Sequence, residues 1–112
     1  MLAPSLNGSN GLIRMHYHRY AQIKETWIWS IKEESRNRKA PIPCRIELLR
    51  MYAVLPLDLD NLYASCKIPL DALRSARVIP EDDPSCVAGL YCRQEKVAKK
   101  SQQGTLILLS EI

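Results

Sequence analysis

Between two proline-marked loops lies a run with little conformational choice, "CRIELLRMYAV", residues 44–54. In an extended chain Ile46, Leu48 and Arg50 face one way, while Glu47, Leu49 and Met51 face the other. Both sides are apolar enough for this strand to sit centrally in a sheet. A central strand needs neighbours on each edge. Two further runs supply them, "CVAGLYCRQEK" at 86–96 and "TLILLSEI" at 105–112, joined by the polar loop "VAKKSQQG".

Helical spacing dominates elsewhere. Tyr20, Ile23, Trp27 and Ile31 recur at intervals of three and four within a stretch from about Leu12 to Ser35. Arg19, Lys24, Lys32 and Glu33 occupy the other faces, and Pro41 and Pro43 stop the helix. A second helix is predicted from Asp60 or Asn61 to Ala76. Pro69 falls inside it and removes one backbone donor, so a kink or loosened turn is expected there. The order is helix, strand, helix, strand, strand. That describes one α+β domain over residues 1–112, with two helices packed on a small sheet.

A chain of 112 residues buries a modest core, so oligomerisation is a plausible source of further burial. Phenylalanine is absent, leaving Tyr, Trp, Leu and Ile to fill the interior. Trp27 and Trp29 are expected in the core first, then at a dimer contact, then stacked on a base. No run is long and apolar enough to cross a membrane, and the N-terminus lacks the layout of a secretion signal. The expectation is a soluble, intracellular protein. The four cysteines, Cys44, Cys66, Cys86 and Cys92, show no CxxC spacing and lie far from His16 and His18. Structural zinc is therefore not expected, and the cysteines read as small buried apolar residues.

The net charge is +4, a mild bias towards anionic partners. Basic residues crowd "IRMHYHRYAQIK", "ESRNRKAPIPCR" and "RQEKVAKK". By contrast all five aspartates lie between Asp58 and Asp83. On a continuous helix Asp60, Lys67 and Asp71 would fall within about 40° of one another around the axis, an acid, a base and an acid on one face. Leu62, Cys66, Leu70 and Leu73 would form the buried face. Plain structural roles exist for each acid. Asp60 or Asn61 suits a helix N-cap, Lys67 with Asp71 suits a surface pair, and Asp82–Asp83 suits a polar turn. A calcium loop starting at Asp58 fails, because Tyr63 stands where Gly is needed and Pro69 where Glu is needed. Clustered carboxylates instead suit Mg²⁺, a hard cation held by one or two carboxylates, waters and substrate phosphate. Such an ion polarises a phosphodiester and activates water, and a lysine nearby can stabilise the developing charge.

The segment "DLDNLYASCKIPLDAL…VIPEDDPSCV" resembles the RusA family of Holliday junction resolvases. The shared pattern is Asp-x-Asp-Asn, a Lys ahead of Asp-Ala-Leu, and a double Asp. "PSLNGSNGLIRMHYHRY" is similar to the family's Pro-Ser-x-Asn loop and basic, aromatic-rich helix, and "GTLILLSEI" to its closing strand. The resemblance implies a Mg²⁺-dependent endodeoxyribonuclease, an intertwined homodimer making paired symmetric nicks in branched double-stranded DNA. It implies a cytoplasmic setting in a bacterial or phage-infected cell. By position it gives Asp58, Asp60 and Asp83 as catalytic metal ligands, with Asp82 as the alternative to Asp83. Lys67 matches the catalytic lysine, and Asp71 matches an acidic position of open role. Phosphate contacts are then expected from Arg14, His16, His18, Arg19, Lys24, Arg36, Arg38 and Lys39, with Lys96, Lys99 and Lys100 adding to them.

The chain departs from the family in four places. It opens at the Pro-Ser-x-Asn loop without the usual first strand, so a shortened gene product or a sheet completed by a partner is expected. "YAVLPL" is apolar where a basic stretch is usual, Lys67 stands farther from Asp60, and Arg77 replaces a helix-terminal Gly. A non-catalytic DNA-binding dimer of the same descent is the alternative reading. A small structural or assembly protein, with its acids as caps and surface pairs, is a third.

Overall fold

A computed structural model describes residues 17–112, with side chains from Tyr20 onward. Helix α1 spans Tyr17–Ser35, so the expected start at Leu12 lies outside the described residues. Its stripe packs as the spacing demands. Trp27 and Ile31 are buried, and Tyr20 and Ile23 lean on the same core. Beyond Ser35 the chain turns left-handed at Arg36 and Asn37, and the Asn37 N–H bonds the Lys32 carbonyl at 3.3 Å.

Strand β1 spans Cys44–Tyr52, and its alternate residues Cys44, Ile46, Leu48 and Arg50 are buried. It is the central strand, flanked by β2 (Val87–Lys96), which runs parallel, and β3 (Gly104–Glu111), which runs antiparallel. The register builds three inward layers. Ile46 lies between Leu90 and Leu109, Leu48 between Cys92 and Ile107, and Arg50 between Gln94 and Thr105. The first two are apolar and meet the helices; the third is polar. On the other face Leu49 lies between Arg93 and Leu106, and Glu47 between Tyr91 and Leu108. There Tyr91, Leu106 and Leu108 are exposed. The fold is therefore α+β, with its core between the helices and one face of a three-stranded mixed sheet.

The second helix forms as two arms, α2 (Leu59–Ala64) and α3 (Lys67–Ser75). Pro69 is the cause, but the break lies upstream of it. A proline ring collides with the carbonyl four residues back, here that of Ser65, and Pro69 has no N–H to bond it. The chain therefore turns at Ser65 and Cys66, and the Leu70 N–H resumes the α-helical pattern by taking the Cys66 carbonyl at 2.9 Å. Leu62, Cys66 and Leu73 are buried and Leu70 half-buried, as the spacing anticipated. The start differs. Asp58 is the N-cap, two residues earlier than Asp60, and its carboxylate accepts the Asn61 N–H at 2.9 Å. At the far end Arg77 takes the left-handed conformation, φ 61°, just past α3.

All four cysteines are buried as expected, but two of them are paired. Cys66 and Cys92 are joined sulfur to sulfur across the core, their Cα atoms 7.4 Å apart, while Cys44 and Cys86 are free and buried. Their 26-residue separation hides this pairing in the sequence. Cys66 lies on the buried face of the second helix and Cys92 on the inward face of β2, so the packing of helix on sheet brings them together.

Candidate active site

The residues expected to form the site divide between the two ends of β2. At its C-terminal end, the polar layer of the sheet supports the start of α2. The Leu57 N–H donates to Gln94 Oε1 at 2.8 Å, and Gln94 Nε2 donates back to the Leu57 carbonyl at 2.6 Å. One side-chain amide thus replaces the paired backbone of a neighbouring strand. Asp58 follows immediately and caps α2. Asp60 stands exposed in the first turn, and buried Leu62 anchors the helix. Beside Gln94 in the same inward layer is Arg50, whose guanidinium burial pulls below its ordinary range. The sequence reading assigned roles to neither Gln94 nor Arg50. Their signal was a polar residue on the inward alternation of a strand.

Lys67 and Asp71 meet on α3, Nζ to Oδ2 at 3.8 Å, and Lys67 is largely exposed. The Tyr20 hydroxyl, from α1, donates to the same Asp71 oxygen at 3.4 Å. Burial first, then the Asp71 carboxylate, push the Tyr20 phenol above its ordinary range. Asp71 is thus a junction of two helices. Asp60 lies on α2 and Lys67 and Asp71 on α3, so the single continuous helix expected to carry all three is interrupted between Ala64 and Lys67.

At the N-terminal end of β2 lies Asp83. Its Oδ1 accepts the Ser85 N–H at 3.0 Å and also the Ser85 hydroxyl. Its carbonyl accepts the Cys86 and Val87 N–H groups at 3.0 and 2.9 Å. Proline at the second position and aspartate at the first suit such a turn. These bonds, that of the Ser85 hydroxyl foremost, hold the exposed Asp83 carboxyl below its ordinary range. Asp82, beside it, is exposed. Val87 and Gln94 mark the two ends, and seven steps of strand put them about 23 Å apart.

Asp83 and Asp82 are therefore anchored at the opposite end of β2 from Asp58 and Asp60. Among the described residues no three His, Cys, Asp or Glu side chains form a group able to hold a metal ion. Asp58, Asp60 and Asp83 thus do not form one such group within a single copy.

The basic residues divide in the same way. Val97 N–H bonds the Tyr52 carbonyl at 2.8 Å, which places exposed Lys96, Lys99 and Lys100 towards the Asp58 end. Ala40 N–H bonds the Val78 carbonyl at 2.8 Å, and Cys44 N–H bonds the Cys86 carbonyl at 2.9 Å. Exposed Lys39 therefore lies towards the Asp83 end, following exposed Arg36 and Arg38. Lys24 is half-buried on α1. Arg14 and His16 lie outside the described residues, as do the side chains of His18 and Arg19. No helix among the described residues is long and apolar enough to cross a membrane. No protein-family model, no curated protein and no solved structure matches the chain.

Proposed function

We propose that the protein is a structure-selective endodeoxyribonuclease that resolves four-way DNA junctions by paired symmetric nicks, as a Mg²⁺-dependent homodimer of the RusA type. Its setting would be recombination and repair in the cytoplasm of a bacterial or phage-infected cell. The observation that carries this reading is the Asp58–Asp60 segment. Two exposed carboxylates open α2 on the Asp-x-Asp-Asn pattern, and Gln94 fixes the backbone just before them. Exposed acids held on a fixed segment suit a site that meets substrate from outside.

This chain's residues have distinct tasks in the reading. Asp60 spends no oxygen on capping and is the acid most available to the reaction, while Asp58 divides itself between cap and site. Lys67, tethered to Asp71, carries positive charge for the phosphate. Mg²⁺ supplies phosphate polarisation and water activation when bound. Asp83 joins the other acids only if a second copy brings its own to them.

A synthetic four-way junction with Mg²⁺ tests the reading. Wild-type protein should give paired symmetric nicks. Asp60→Asn should lose activity by on the order of 10²-fold, the scale of removing one essential group. Cutting that survives this replacement unchanged contradicts the assignment. The separation of Asp83 from Asp58 favours a second reading, a DNA-binding dimer of the same descent that does not cut. It expects salt-sensitive junction binding without nicks.

A further inference from the structure

The C-terminal turn of α3 borders a cleft of about 490 Å³. Lys39, Arg74 and Arg77 line it together with the apolar Ile42, Val78 and Pro80. Its charged lining is entirely cationic. Arg74 has an acid partner in Glu81, whose carboxylate meets Arg74 Nη1 at 3.9 Å with both side chains substantially exposed. A long, solvated contact of that kind leaves the guanidinium available to another anion.

Arg77 is the informative residue. It sits one position past the α3 cap with φ 61°. Its N–H bonds the Arg74 carbonyl at 3.0 Å, and the Val78 N–H bonds the Leu73 carbonyl at 3.0 Å. This is the Schellman arrangement, whose left-handed position favours glycine because a Cβ is crowded there. The chain instead carries an arginine, whose side chain borders the cationic cleft. Arg36 and Asn37 are left-handed as well, but of the three only Arg77 lines this cleft, where its charge joins those of Lys39 and Arg74.

We infer that this cleft seats a phosphodiester of a DNA backbone. Arg77 and Arg74 donate to its nonbridging oxygens, Lys39 adds charge, and Ile42, Val78 and Pro80 offer the sugar an apolar wall. The inference rests on DNA as the ligand of the proposed function, and not on cutting. It also places a phosphate track at the Asp83 end of the molecule, away from Asp58 and Asp60.

The test is junction binding by the full chain over a salt series, read by fluorescence anisotropy, with melting measured in parallel. Arg77→Gly should weaken binding several-fold and lower the salt slope by about one. It should also melt higher than wild type, because glycine relieves the left-handed strain. Arg74→Gln should weaken binding in the same way, and Arg77→Lys should retain most of it. Tripolyphosphate, as a second ligand, separates a DNA-backbone site from a generic polyanion site. Unchanged affinity and slope in both Arg77→Gly and Arg74→Gln overturn the inference. So does a wild-type protein that ignores the junction, or that binds tripolyphosphate as tightly. Binding that weakens as described but never leads to nicks leaves the cleft standing and removes the nuclease.

Discussion

The two ends of β2 both carry aspartates, and the chain uses them differently. At the N-terminal end Asp83 is spent locally. Ser85 takes its carboxylate, Cys86 and Val87 take its carbonyl, and the turn into the strand is complete. At the C-terminal end Gln94 does the fastening through its side chain, and Asp58 needs only one oxygen for its cap. Asp60 is left with no structural duty and stands in solvent. An aspartate's role therefore follows from what its turn still requires. Where backbone and neighbours already satisfy the turn, the carboxylate is available for chemistry.

This contrast can be broken most forcefully at Leu62, the buried anchor of α2. Leu62→Ala should cost about 3 kcal/mol by removing core contacts and leaving a cavity. Denaturant unfolding should show it as a lower midpoint. Hydrogen exchange should show protection falling around residues 58–64 and not at the Asp83 turn. Equal loss at both ends would mean that they are not separately supported.

Gln94→Ala is the sharper probe, because it removes the clamp and leaves the acids in place. Two part-buried hydrogen bonds to Leu57 are lost, at about 2 kcal/mol together. The Leu57 amide should exchange faster, and Gln94→Glu, which keeps the acceptor, should restore part of its protection. If the nuclease reading holds, junction cutting by Gln94→Ala should fall further than the lost stability explains.

The smallest effect belongs to the other end. The folded Asp83 carboxyl lies below its unfolded value, so its contribution to stability is present above the unfolded value. That contribution is lost as pH falls through the lower, folded value. Ser85→Ala removes the main cause, so NMR titration should find Asp83 closer to an ordinary carboxylate. The acid limb of the stability curve should flatten slightly. No change in the Asp83 titration would mean that its turn is not what occupies it.

Much of the fold was legible locally. The alternation of β1 separated its two sides and its apolar character gave its central place, and the α1 stripe named Trp27 and Ile31 before the core was visible. Pro69 announced a disturbance, but its position required a further step, since the proline acts on the carbonyl four residues before it. The break divides Asp60 from Lys67 and Asp71 between two helices, yet the apolar face of Leu62, Cys66, Leu70 and Leu73 carries across it. The separation of the acids follows from topology rather than local pattern. Because β2 runs parallel to β1, the chain leaving β1 at one end must return to the other before β2 begins. Residues just after β1, such as Asp58, and residues just before β2, such as Asp83, are placed apart by that return. The strand–helix–strand order carried this information, but motif spacing alone did not.

The division of the acids between the two ends of β2 is most directly measured as a distance. Spin labels attached through non-cysteine side chains at positions 58 and 83, diluted into unlabelled protein to isolate pairs within one chain, give it by pulsed electron resonance. A distribution centred at about 20 Å or beyond is expected from the length of strand between the ends. A single population too close for the method, with the two labels effectively side by side, would show that one chain gathers its own aspartates after all.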